Sequence, residues 1–127
     1  MVEPELILIG YWSGERAPGW PSPSEFVDVS WDSDTRDLVA DYLQRGFVVR
    51  AYMGYSPCRI CGRNNGDLEL SDGTFVWPDG LVHYVSDHAV RLPDKFVSHV
   101  LGEISSYESA GREESWWRGQ HGQVDCV

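Results

Sequence analysis

Two cysteines and two histidines have the types and spacing of a metal site. Cys58 and Cys61 form a C-x-x-C pair. After twenty-one intervening residues, His83 and His88 follow. Zinc prefers four nitrogen or sulfur ligands in a tetrahedron, and Gly62 suits a knuckle whose backbone folds back close to the metal. We therefore predict one Zn²⁺ ion, bound by two thiolates and two neutral imidazoles.

The histidine pair raises a geometric problem for this ligand set. Residues at i and i+5 lie about 140° apart on an ideal helix. Either the helix that carries His83 and His88 unwinds near Ser86-Asp87, or one of the two is not a ligand. His99 and Cys126 are the alternatives for the fourth position.

A complete set of four protein ligands leaves the metal no position for water, which is typical of a structural site. Without a metal, the cysteines would form a buried or redox-active pair, but a thioredoxin-like C-x-x-C needs a strand-to-helix junction. A hairpin follows here instead. The deaminase signature also fails, because no histidine precedes Cys58. The H-E-x-x-H, G-x-S-x-G and P-loop motifs are absent as well.

Composition and charge favour a small acidic protein. The 127 residues include 20 acidic and 10 basic ones, which gives a formal net charge of −10. This charge disfavours nucleic acids and anionic membranes and favours a protein partner with a basic surface. No apolar run approaches the length of a membrane span, and the first residues lack a signal-peptide pattern. We therefore expect a cytoplasmic protein, in a compartment that keeps its three cysteines reduced.

Hydrophobic periodicity predicts an α+β domain with a small, mostly antiparallel sheet and about three helices, built around the zinc knuckle. The predicted strands cover residues 5–12, 26–31 and 47–53, and two further strands form a hairpin that turns at Asp72-Gly73. The predicted helices run from 33–35 to about Arg45, from Pro78 toward His88, and onward from Pro93.

Two details of this sheet are specific. The apolar run of residues 6–9 predicts a strand covered on both faces. A two-residue turn at Asp72-Gly73 would pair Leu70 with Phe75 and place both on one face.

The chain divides into a single zinc-stabilised domain, residues 1–108, and a polar, partly ordered tail, residues 109–127. Trp116 and Trp117 stand out in the tail. They either fold back onto the domain or anchor a partner, since tryptophan is enriched in binding hot spots. Trp20 is expected to pack its loop onto the core.

The order of knuckle, hairpin and ligand-bearing helix over residues 57–88 resembles a treble-clef zinc finger. The segments CRICGRNNG, ELSDG, WPDGLVHYV and HAVRLPDKFV also resemble a pattern in small uncharacterised bacterial proteins. This resemblance implies that the knuckle and the helix start at VRLP, residues 90–93, form one unit, and it brings no activity.

Two functions from different classes follow. The first is a non-catalytic, zinc-stabilised, acidic protein-binding module, such as an immunity protein that neutralises a basic toxin, or an accessory protein. The alternative is a zinc-dependent enzyme of the hydrolase type, in which one histidine is displaced and the metal keeps an open position. The closed ligand set favours the first.

Overall fold

The computed structural model describes residues 3–15 and 17–122 and confirms the predicted α+β class. The described strands are β1 (Ile7–Leu8), β2 (Phe47–Ala51), β3 (Leu68–Ser71) and β4 (Phe75–Pro78). The described helices are α1 (Ser33–Gln44), α2 (Leu81–His88), α3 (Asp94–Ser109) and α4 (Ser115–Arg118), and a short 3₁₀ turn covers Pro23–Phe26. Within those ranges, no helix is both long and apolar enough to cross a membrane.

The four described strands form one mixed sheet in the order β1-β4-β3-β2. β1 runs parallel to β4, while β3 is antiparallel to both β4 and β2, so the sheet is mostly antiparallel as predicted. Helix α1 packs against α2 and α3. The two edge positions fall to β1 and β2, which are the least buried strands.

The core forms where the β3–β4 hairpin meets the helices. Trp77 is fully buried, and its indole Nε1–H donates to the carbonyl of Leu43 at the end of α1 (3.0 Å). Phe96 from α3 lies edge-on to both Trp77 and Phe75. Aromatic rings from the sheet therefore fix the positions of two helices at once.

Two predicted strands are wrong in extent or kind. The strand predicted for residues 5–12 is reduced to Ile7–Leu8, and these side chains are exposed rather than covered on both faces. The cause is its edge position, where it pairs only with β4 among the described strands, and the chain leaves the sheet at Gly10 (φ +78°). The strand predicted for 26–31 is a single bridge between Val27 and Val90.

The hairpin exists, but its predicted register is wrong by two residues. Leu70 pairs with Trp77 and Ser71 with Val76, so the connection is longer than a two-residue turn. The carboxylate of Asp72 explains this, because it accepts the backbone N–H groups of Thr74 (2.9 Å) and Phe75 (2.8 Å). A shift of two residues keeps every side chain on its predicted face.

Helix α2 begins later than predicted. Pro78 ends β4, and the first helical residue is Leu81, with Gly80 at the N-cap. A Cβ on Gly80 would lie 2.1 Å from the backbone oxygen of Asn65. The close approach of the two chain segments at this point requires glycine and delays the helix by one turn.

Gly46 supplies a test of the packing between α1 and the sheet. A Cβ at this position would lie 2.8 Å from the Trp77 ring and 3.0 Å from Leu70 Cβ. We predict that Gly46→Ala destabilises the fold by about 1–3 kcal/mol, because the buried indole cannot move away. Urea unfolding of the metal-loaded protein measures the change.

The matched control is Gly102→Ala in α3, where an added Cβ meets nothing within 4 Å. This change should raise stability by up to about 1 kcal/mol through helix propensity. A similar gain in stability from both substitutions would contradict the packing at Gly46.

Candidate metal centre

The C-x-x-C pair lies on a tight knuckle. The N–H of Cys58 donates to the carbonyl of Arg63 (2.8 Å), and the N–H of Gly62 donates back to the carbonyl of Cys58 (2.9 Å). Gly62 has φ +78°, the left-handed conformation that the sequence analysis expected here. The N–H groups of Ile60 (3.4 Å) and Cys61 (3.5 Å) point at the Cys58 sulfur. The knuckle thus directs backbone dipoles toward a thiolate.

Helix α2 presents both histidines, and it does so without unwinding. The helix is continuous from Leu81 to His88, so unwinding near Ser86-Asp87, one of the two alternatives that the spacing left open, is not observed. His88 is the last helical residue, and Ala89 then turns the chain with φ 53°. His83 and His88 converge because both extend their distal Nε2 atoms toward the same point.

The four predicted ligands form one cluster. Cys61 Sγ lies 3.4 Å from His83 Nε2, and the Nε2 atoms of His83 and His88 lie 3.2 Å apart. One donor atom from each of Cys58, Cys61, His83 and His88 can be chosen so that all four lie within 4.8 Å of one another.

These distances fit a tetrahedral ion. Usual Zn–N and Zn–S bond lengths place two nitrogen ligands about 3.3 Å apart and a nitrogen and a sulfur about 3.6 Å apart. The observed 3.2 Å and 3.4 Å agree with these separations. The widest pair needs a side-chain adjustment of about 1 Å to match a tetrahedron. The residues therefore could hold one metal ion.

A carboxylate supports His83 from outside the cluster. Asp87 Oδ2 lies 3.1 Å from Nδ1 of His83, one helical turn away. A negative charge at this nitrogen favours the tautomer with the proton on Nδ1, which leaves the Nε2 lone pair free for a metal. From the sequence, Asp87 was considered as a point where the helix could unwind and not as a partner of His83, although its i,i+4 spacing from His83 is the signal that indicates this role.

The site is half enclosed. Cys58 is buried and Cys61 exposed, while the two histidines are intermediate. Burial by itself raises the pKa of the Cys58 thiol, but hydrogen bonds from the Cys61 and Ile60 backbone and from the Tyr84 hydroxyl outweigh it, so its pKa is lowered. A lowered thiol pKa favours the thiolate that binds metal.

Tyr84 is a second residue that the sequence analysis missed. It is buried on α2, between the two histidines, and its hydroxyl accepts the N–H of Arg59 (2.7 Å). Burial raises its pKa to about 12, and the charge of Cys58 adds to this, so the hydroxyl stays protonated at neutral pH. It can then donate to the Cys58 sulfur.

The other candidate residues lie elsewhere. His99 Nε2 lies 2.7 Å from Asp72 Oδ2 and is not in the cluster, so it is committed to the hairpin turn. Cys126 falls outside the described residues. Trp116 and Trp117 are 69% and 72% exposed on α4, so neither folds back into the core.

Comparison with family models finds no match, and neither the curated proteins nor the solved structures show one that is significantly similar. The resemblances to treble-clef fingers and to the bacterial pattern therefore stay predictions.

The geometry makes the two histidines unequal. His83 contacts Cys61 and His88 and is oriented by Asp87, whereas His88 closes the cluster from the helix end. We predict that His83→Ala lowers metal content more than His88→Ala, and elemental analysis of the purified variants measures it. His99→Ala is the control and should retain the metal. Equal retention in the two cluster variants would contradict this ranking of the ligands.

Proposed function

We propose that this protein is a zinc-stabilised, non-catalytic module that binds a protein partner with a basic surface. The observation that carries the proposal is the closed donor set. Two thiolates and two imidazoles satisfy all four positions that zinc prefers, so a bound substrate or water would have to displace a protein ligand.

Zinc is the metal that this donor set favours. Cysteine thiolates exclude the hard cations Mg²⁺ and Ca²⁺, which take oxygen ligands. A compact S₂N₂ set fits zinc among the common divalent metals. The metal would have a structural role, because the knuckle has almost no buried side chains: apart from Cys58, every residue from Ala51 to Asn64 is exposed.

The exposed apolar side chains support binding to another protein. In β2, Phe47 and Val48 are each 57% exposed, and Val49 is also exposed. The outer edge of β2 pairs with no strand among the described residues, and Arg50 is its only charged residue. A strand of this kind is a ready site for pairing with another chain, which proteins usually block.

The tryptophans of α4 provide a second candidate anchor. Trp116 and Trp117 lie with ring centroids 6.3 Å apart and expose most of their surface. Paired exposed tryptophans are costly in water, and tryptophan is enriched among binding hot spots. The net charge of −10 selects for a basic partner.

A capture experiment tests this proposal. The zinc-loaded protein is immobilised, exposed to a cell extract, and the retained proteins are quantified by mass spectrometry. We expect one basic protein in near-stoichiometric amount, with retention falling as salt rises from about 0.05 M to about 0.5 M, since exposed charges are screened. The double variant Trp116→Ser with Trp117→Ser, or the edge variant Val49→Lys, should lose this partner.

Leu101→Ser is the matched control, because Leu101 is an exposed apolar side chain on α3 outside both surfaces. It should retain the partner. If turnover of a hydrolysable ester or phosphate substrate appears with zinc and disappears with its removal, the enzyme alternative replaces the binding proposal.

A further inference from the structure

A cavity of about 470 Å³ lies beside the knuckle, bounded by the loop after β1, the end of β2 and the start of α2. Six aromatic side chains contribute to its wall: Tyr11, Trp12, Trp20, Tyr52, Tyr55 and Tyr84. Several contact one another edge-on, including Tyr11 with Trp20 (5.5 Å between centroids). A volume of this size suits a small molecule or one long side chain.

The charged groups of the wall are mostly acidic. Asp67 and Asp79, both half buried, line the cavity, and Arg59 is the one basic residue in its lining. The Arg59 guanidinium already donates to the carbonyls of Pro57 (2.7 Å) and Ser13 (3.3 Å). Its hydrogen bonds are thus directed at the backbone, and the carboxylates favour a cationic ligand.

Behind the tyrosine rings lies a third carboxylate. Glu69 is buried on β3, and its Oε2 accepts the hydroxyls of Tyr11 and Tyr52. Burial and then the bond to Glu69 raise the pKa of Tyr11 far above its usual value, so the proton stays on the phenol. The phenol oxygens keep lone pairs that can accept N–H groups from a ligand. Arg50 Nε, 3.8 Å from Glu69 Oε1, is largely exposed to water.

Two buried polar atoms of the wall have no hydrogen-bond partner among the described residues. They are the indole Nε1–H of Trp12, a donor, and Oδ1 of Asp79, an acceptor. Such atoms are rare in folded proteins. Neither atom is accessible to water, so a ligand in the cavity reaches them only after their side chains shift. The preference for a guanidinium therefore comes from the phenol oxygens of the wall, which can accept its N–H groups, whereas a simple quaternary ammonium has no N–H group to donate.

From this arrangement we infer that the cavity binds an arginine side chain presented by the protein partner. The guanidinium stacks on aromatic faces and carries five N–H donors, which matches a wall of rings, phenol oxygens and carboxylates. The inference deepens the proposed function and rests on it, because the partner is the source of the arginine.

A probe titration tests the site without the partner. Zinc-loaded protein labelled with ¹⁵N is titrated with N-acetyl-arginine methylamide at constant ionic strength, and the indole N–H signals of the six tryptophans are followed by NMR. The signals of Trp12 and Trp20, assigned with Trp→Phe variants, should shift and saturate. Those of Trp116 and Trp117, outside the cavity lining, should not.

N-acetyl-citrulline methylamide is the matched neutral probe, and tetramethylammonium is the small-cation probe. We expect arginine to bind at least about fivefold more tightly than either. Equal binding of citrulline would overturn a cation site, and tighter binding of tetramethylammonium would overturn a peptide-borne ligand.

Variants of the protein separate the cavity from the rest of the surface. Trp20→Leu and Asp67→Asn should each weaken arginine binding by about fivefold or more, because each removes a ring or a charge from the wall. Asp37→Asn, which neutralises an exposed carboxylate on α1 outside the lining, should leave it unchanged. An equal loss of arginine affinity with Asp37→Asn would show that the net charge of the protein, and not the cavity, determines binding, and would contradict the site.

This outcome is independent of the capture experiment. If arginine binds no better than citrulline, the cavity inference fails while a captured partner still supports the proposed function. If arginine binds but no partner is captured, the proposed function fails and the cation-binding site remains.

Discussion

The convergence of four donor atoms between the knuckle and α2 is the constraint on which this half of the fold depends. Burial contributes little to holding the knuckle, because Cys58 is the one buried side chain between Ala51 and Asn64. Hydrogen bonds from Arg59 to Tyr84 and Ser13 also link it to the rest of the chain. Helix α2, by contrast, is anchored in the core through Leu81 and Val85. A metal ion would therefore join this exposed loop to a helix that the core holds in place. Hydrophobic burial alone does not hold the loop against the helix.

Tyr84 connects this junction to the aromatic cavity. Its hydroxyl meets the Cys58 sulfur and the Arg59 N–H, and its ring packs against Trp12 at 5.6 Å and lines the cavity wall. The position of the knuckle thus affects the shape of the cavity through one buried side chain. The cysteine–histidine cluster and the proposed ligand site are parts of one arrangement, in which a bound metal would orient one wall of the cavity.

The residue types and spacing predicted the cluster correctly, because ligand chemistry is local and a C-x-x-C turn needs few residues to specify it. The fold class and the buried face of the hairpin, with Leu70 and Phe75, also followed from the hydrophobic pattern. What failed depended on the position of a strand in the sheet and on side-chain hydrogen bonds, neither of which periodicity describes. The exposure of β1 depends on its edge position, and the hairpin register depends on the Asp72 side chain replacing ladder hydrogen bonds.

The helix angle of His83 and His88 shows the same limit. Their wide separation on a helical wheel suggested a distorted helix. The helix is continuous, and the two side chains nevertheless meet because each extends its Nε2 atom toward the other. Backbone periodicity gives the direction of a side chain around the helix and does not account for its length. Asp87 and Tyr84 were likewise missed because their roles appear only once the cluster is assembled.

The most direct test of the central claim is the metal content of the purified protein, measured by native mass spectrometry before and after chelation, with amide hydrogen exchange recorded on both samples. We predict about one zinc ion per chain, and loss of amide protection in the knuckle and α2 when the zinc is removed, because structural zinc contributes on the order of 10 kcal/mol of binding energy. A metal-free chain with unchanged protection throughout residues 57–88 would contradict it.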